Sequence, residues 1–352
     1  MATLTEISVY TRKGVVWIIG AVIAFLLIRF LFLVAVSYYQ ASHPKKTPSP
    51  NVLFDKIQPP KFPKDSLSTT GLIFVLQNIE GRPPETTAAA KVYFMPKKLP
   101  SLLAPQKAKD FAAKLGFSQD PQVVTSTFYR FTDPQNNLRT FDLDIVNQNL
   151  QLTYDYQKDP SIFSAGQIPT TENAIVEVKS FLSTNNLVDS SILSTTSKAT
   201  LLKFDGNNLI TVRSLGDANA IRVDFYRPDI DGYKLLPPGF NKSYIYVLMS
   251  PSPDQKKRFS KISYTLWPIA LDNFGTYPLR ASSDAWSQLT SGQGIIANMG
   301  NNTKDKQIVI RNIYLAYYDS GEAENYLQPV FVFEGDNDFA AYVPAIDPSW
   351  FQ

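Results

Sequence analysis

YYDSGEAENYLQPVFVFEGDNDFAAYVPA, residues 317–345, decides how the rest of the chain is read. Asp319, Glu322, Glu324, Glu334, Asp336 and Asp338 stand here among tyrosines, phenylalanines and valines. As paired carboxylates they would point to acid–base chemistry, which needs one carboxyl buried enough to hold a proton. Their neighbours point elsewhere. Ser320-Gly321 and Gly335-Asp336-Asn337 are residues that tolerate turn geometry, and the apolar runs beside them have strand length. The stretch reads as the last two strands of a sheet, with its acids in solvated turns.

Working outward, a beat recurs in which a helix is followed by strands. Residues 104–115, APQKAKDFAAKL, place Pro105 in a first turn and Ala108, Phe111, Ala112 and Leu115 on one face, with Gly116 as the stop. LIFVL from Leu72 and KVYFM from Lys91 precede this helix as short strands, and TSTFYRFT from Thr125, RTFDLDIV from Arg139 and LQLTYDY from Leu150 follow it. In RTFDLDIV, Asp142 and Asp144 share one face. A second helix is capped by Thr170 or Thr171 and carries Ala174, Val178, Phe181 and Leu182 on one side. KATLLKF, LITVRSL, AIRVDFY, SYIYVLM and KISYTLW are its strands. A third, short helix, DAWSQLTSGQG, is capped by Ser282-Ser283 and anchored by Trp286 and Leu289. QIVIRNIYLAYY, LQPVFVFEG and DFAAYVP then add three strands. Helices followed by strand clusters give an α+β class, with three helix-plus-antiparallel-sheet units expected over residues 71–165, 166–280 and 281–352.

Before these units, Gly14–Val36 reads GVVWIIGAVIAFLLIRFLFLVAV, with one charge. As helix it would cover about 34 Å, enough for a hydrocarbon core of about 30 Å. It is too long for a signal-peptide core, and no small-x-small cleavage site comes after it. With Trp17 and Tyr38-Tyr39 at its ends, the expectation is an uncleaved signal anchor over residues 14–40, after a cytoplasmic tail of residues 1–13. Arg12-Lys13 and Lys45-Lys46 nearly balance the flanking charge, so the short tail is kept inside on length. Arg29 either snorkels to the outer interface or pairs with an acidic group of another membrane protein. Residues 41–70 are proline-rich and read as an extended spacer, with Val52, Leu53, Phe54 and Ile57 available to dock on the first helix-and-sheet unit.

Composition removes several classes of chemistry. With no cysteine, thiolate metal sites, disulfides and cysteine nucleophiles are absent. The lone histidine, His43, falls in the spacer. A net charge of +3 without a lysine–arginine stripe gives no nucleic-acid footprint. Asp229-Ile230-Asp231-Gly232 opens like a calcium loop but lacks its later ligands, and reads as a tight turn. Ser197-Lys198 and Ser260-Lys261 are adjacent pairs, which point to opposite faces of a strand rather than forming a dyad. No motif calls for a cofactor.

DAWSQLTSGQG, IRNIYLAYY, YLQPVFVFEG and FAAYVPA, over residues 284–345, are similar to the C-terminal units of the bacterial YycH/YycI group and the wider PepSY-like domains. The shared order is a helix ending in W..L..G.G, a strand into I.LAYY, a strand L.PV and a closing strand. The insertion Pro228–Ser243 departs from that pattern. The resemblance implies a membrane-anchored, non-enzymatic protein outside the cytoplasm that binds and modulates another envelope protein, of sensor-kinase or peptidase type. Exposed rings on a sheet face or edge suit such binding; the candidate interaction residues are Arg29, Tyr314, Tyr317, Phe331 and Phe333. Packing of those rings into an inter-unit core is the competing reading. Self-association as a structural component, or a carboxylate-based cell-wall hydrolase, are the alternative functions.

Overall fold

The computed structural model describes residues 17, 20, 22–33, 35, 50–302 and 307–352. The chain divides into two units, Met1–Pro48 and Ser49–Gln352. In the first, residues 22–33 are helical with exposed side chains, among them Phe25, Leu27 and Phe30. Much of the expected span Gly14–Val36 lies outside the described residues, and so do Tyr38, Tyr39 and His43. Among the described residues no helix is long and apolar enough to cross a membrane.

The second unit begins with β1 (Phe74–Leu76), β2 (Ala89–Phe94), α1 (Ala104–Lys114), β3 (Gln122–Val123), β4 (Phe128–Asp133), β5 (Asn136–Asp144) and β6 (Leu150–Tyr154). It continues through α2 (Thr171–Thr184), α3 (Ser190–Leu193), β7 (Ser197–Phe204), β8 (Leu209–Thr211), β9 (Ala220–Phe225), β10 (Leu235–Leu236) and β11 (Ile245–Met249). Next come α4 (Gln255–Arg258), β12 (Phe259–Tyr264), β13 (Ala270–Pro278), α5 (Ser282–Gln288) and β14 (Ile295–Asn298). The remaining strands are β15 (Ile308–Tyr318), β16 (Tyr326–Leu327), β17 (Pro329–Gly335) and β18 (Phe339–Pro344). The class is α+β, with few helices.

Local chemistry sets the helix ends. Gly116, at φ +90°, closes α1 in a conformation that disfavours side chains. The Thr170 hydroxyl accepts the Asn173 N–H at the start of α2. Helix α5 differs from expectation: Ala281 is its cap residue and makes no side-chain cap bond, while the Ser282 hydroxyl donates to the Pro84 carbonyl instead. Leu289 is fully buried behind it, and Trp286 is only partly buried, its ring 6.1 Å from that of Phe333.

Helix-then-strands order holds three times, but the sheets cross the boundaries expected after residues 165 and 280. Strands β6 and β12 pair antiparallel, Leu152 opposite Ile262. The first two groups thereby fuse into one nine-stranded sheet, β3-β4-β5-β6-β12-β11-β9-β7-β8. The pairing leaves neither strand as an open edge. Its inner face carries Phe131, Phe141, Leu152, Val223, Phe225, Val247 and Ile262 against Ala108 and Ala112 of α1 and Ala174, Val178 and Leu182 of α2. The last group forms β15-β17-β18-β14, which β1 and β10 extend by pairing parallel with opposite ends of β15. Strands β13, β2 and β16 make a third, small sheet.

The spacer also ends earlier than expected. From Pro50 the chain is part of the folded unit. Asn51 and Val52 donate to the Thr276 carbonyl, Ile57 is 1% exposed, and it bridges Phe351 in parallel. Proline forbids helix but not extended docking, and burying an Ile57-sized side chain is worth about 1.5–3 kcal/mol.

Candidate functional site

Alternation along the strands of the nine-stranded sheet places its polar residues on the face opposite α1 and α2. Lys198 lies opposite Asp224, Asp224 opposite Tyr246, and Tyr246 opposite Ser263. One step along, Thr200, Arg222, Leu248 and Lys261 form the parallel row. One end of this face is covered by the 3-10 turn Pro160–Phe163, whose Ile162 and Phe163 pack with Leu202, Phe204 and Leu248; Lys198, Asp224 and Tyr246 lie outside that cluster. The centre of the face is locked: Arg222 donates to both Asp224 oxygens from Nε, at 3.0 and 2.9 Å, and from Nη2 to Oδ1 at 2.7 Å. The same guanidinium lies 3.6 Å above the Tyr246 ring centre and donates to the Ser243 carbonyl at 2.8 Å. Burial raises the Asp224 pKa, against the opposing pull of Arg222.

The Pro228–Ser243 insertion builds the wall. Asp231 and Gly232 have φ of +54° and +81°, and Ile230 bridges Tyr233. That is the expected tight turn. Asp231 accepts from the Tyr93 hydroxyl and pairs with Lys91 at 3.0 Å, so its carboxylate serves structure. Beyond the turn, β10 joins the six-stranded sheet, and the Pro237 carbonyl accepts from the Tyr342 hydroxyl at 2.9 Å. The insertion thus bridges the open face and the second sheet.

Two adjoining cavities lie along this bridge and share Lys198 and Asn241. One, of about 580 Å³, is lined by Thr195, Tyr226, Arg227, Lys234, Phe240, Tyr314 and Glu334 among others. The other, of about 440 Å³, runs over Thr200, Arg222, Asp224, Tyr246 and Lys261 to Lys242, Asn298, Gly300, Asn301 and Asp338. Both volumes lie in the range of ligand clefts. Gly300 is required there: its φ is +59°, and a Cβ would fall 1.9 Å from the Asn337 carbonyl oxygen. Among the described residues no carboxylate lies within 4 Å of Lys198, Lys234, Lys242 or Lys261. Arg227, by contrast, pairs with Asp319 at 3.0 Å.

Tyr314 alone of the expected residues reaches this cleft. Its hydroxyl donates to Glu334, and Lys234 sits 5.8 Å from its ring centre. Burial, then the Glu334 carboxylate, push its pKa well up, so it remains a donor. The expectation of exposed rings is corrected for Tyr317, Phe331 and Phe333, which are at most 1% exposed. Both faces of the six-stranded sheet are covered. Helix α5 and Leu72 pack on one side, where Phe331 and Phe333 lie, and Phe62 and Phe240 on the other, while Tyr317 packs with Tyr93, Leu235 and Leu327. Arg29 is exposed on the helical run of the first unit.

The acids of the tail divide. Glu322, Asp336 and Asp338 fit solvated turns; Asp336 pairs with Arg311 at 2.7 Å. Asp319, Glu324 and Glu334 do not; Glu334 lies within β17, half-buried, and accepts from Tyr314. Burial raises the pKa of Asp319 despite Arg227, and that of Glu324 to about 7, where its carboxylate accepts the Lys61 N–H at 3.2 Å. Among the described residues no group of three or more His, Cys, Asp or Glu side chains could hold a metal ion. The cleft was legible in part, since Lys198, Thr200, Lys261 and Ser263 alternate with apolar neighbours. Its wall depends on β10 reaching β15, which local sequence does not signal.

No protein-family model matches the chain, and no curated protein does. Among solved structures it is similar to an uncharacterized protein from Eubacterium rectale ATCC 33656. There the identity is 13% and the TM-score 0.36, over 76% of this chain and 85% of that one. It is also similar to the Bacillus megaterium YpeB C-terminal domain, at 13% identity and TM-score 0.30, over 73% of this chain and 96% of that one. Likeness at this level decides nothing about function, so the functional reading rests on the chain's own cleft.

Proposed function

We propose that this chain is a single-span protein of the bacterial cell envelope whose folded unit, outside the cytoplasm, binds and modulates another envelope protein without catalysing a reaction. The apolar run Gly14–Val36 is the anchor, with the N-terminus inside. The C-terminal motifs over residues 284–345 support a unit of PepSY/YycI type. The observation that carries the binding role is the polar part of this face of the nine-stranded sheet, around Lys198, Asp224 and Tyr246, walled by the insertion into a cleft. Arg222, Asp224 and Tyr246 are held against one another there, and such preorganisation favours recognition.

A photo-crosslinking amino acid placed at Tyr246 in the full-length protein, in cells, tests this. Mass spectrometry is expected to return one recurring sensor kinase or peptidase, absent when the crosslinker replaces exposed Val176 on α2. Capture of further copies of this chain alone would overturn the reading in favour of a structural assembly. Protease protection in intact cells checks the topology separately.

A further inference from the structure

We infer that the cleft receives an extended, acidic segment of its protein partner; this rests on the binding reading above and names the chemistry of the site. One positive charge is left over along the cleft: among the described residues Lys198, Lys234, Lys242 and Lys261 make no ion pair, and Asp229, Glu334 and Asp338, which make none either, offset three of them. The acids of the open face are already engaged: Asp224 with Arg222, and Asp142 with Arg130 at 2.7 Å. The lysines make no ion pair, though Lys198 faces Asp224 across the strands and its charge acts on that carboxylate. Lys198, Lys242 and Lys261 converge on one cavity, and Lys198 and Lys234 on the adjoining one, with no carboxylate of the chain within ion-pair reach among the described residues. Cations gathered in a concave site favour a negative partner and speed its encounter.

The remaining lining separates a peptide from a phosphate polymer. Asn241, Asn298, Asn301 and Thr200 offer both donors and acceptors, which suit a peptide backbone. Asp229, Glu334 and Asp338 also border the cavities. These acceptors can receive backbone N–H groups, whereas a phosphodiester chain has none to give. The cleft crosses β7, β9, β11 and β12 side by side, so an extended segment laid in it meets side chains from each strand in turn.

The test uses the full chain in lipid nanodiscs and a fluorescein-labelled peptide of alternating glutamate and alanine, read by anisotropy. Binding is expected, weakening with salt, and falling about tenfold or more in the Lys198→Ala/Lys261→Ala double variant. The Lys198→Arg/Lys261→Arg variant is expected to retain it, and both should melt like the parent, since neither lysine is buried. No peptide binding, equal binding by the alanine variant, or tighter binding of inorganic polyphosphate than of the peptide would each overturn the inference. Repeating the Tyr246 crosslink in the alanine variant keeps the two proposals apart. A partner captured in undiminished yield leaves the binding reading standing and removes the acidic segment; no partner at Tyr246 even in the parent removes the binding reading itself.

Discussion

Glu324 sits where the Pro50–Thr69 segment crosses the turn after β15, and its carboxyl costs stability whenever it is charged. Its pKa in the folded protein is pushed up to about 7 by burial, above the ordinary 4.5. Between those values the folded state holds a proton that the unfolded state has released, so stability falls as pH rises from about 4.5 to about 7 and levels off above. Glu324→Gln, neutral in both states, is expected to remove that slope; melting curves at about pH 5 and about pH 8 measure it. A parent slope that survives in the variant would place its origin at another group. Phe333 makes the opposite case. Fully buried against Trp286 and α5, Phe333→Ala is expected to cost about 3–5 kcal/mol in chemical denaturation. A cost under about 1 kcal/mol, as for a surface ring, would restore the surface role.

Among the elements, those with a clean local period were legible. Helices α1 and α2, and strands β4–β7, β9, β11, β12, β15, β17 and β18, follow from apolar spacing and turn residues. Strand β13 was not, because Leu271-Asp272-Asn273 bulges out between Ala270 and Phe274 and breaks its alternation. Strands β10 and β16 are two residues each, too short for any period. The docking of residues 50–57 was only half legible: the apolar residues were visible, their partners were not. Ile57 packs with Val92, Tyr277 and Ile346, all distant in sequence. Ile57→Ala should therefore lower stability by about 2–5 kcal/mol in urea unfolding. An unchanged midpoint would return this segment to the role of a free spacer.

The sheets are interleaved along the chain, which limits how the protein can come apart. Residues 71–165 supply β1 to one sheet, β2 to another and β3–β6 to a third. No cut near residue 165 or 280 frees a unit that keeps all its strand partners. Calorimetry of the folded unit should accordingly show one transition, with calorimetric and van't Hoff enthalpies equal. Three resolved transitions would mean that the helix-and-strand groups are independent after all. Sequence could suggest the groups, since each is local; it could not show which strands of one group complete another's sheet, because that pairing is set by edges that meet only in space.

The bridge between Ile57 and Phe351 has a consequence for how the protein is made. Phe351 leaves the ribosome nearly three hundred residues after Ile57, about 15–60 s later at typical synthesis rates. Strand β1 waits almost as long for β15. Through that interval the earliest apolar segments lack their late partners Tyr277, Ile346 and Phe351, while the nine-stranded sheet, all of whose strands have emerged by Tyr264, can already form. Newborn chains stalled before β15 should therefore be held by chaperones through residues 50–76, and should release them only as the final strands arrive.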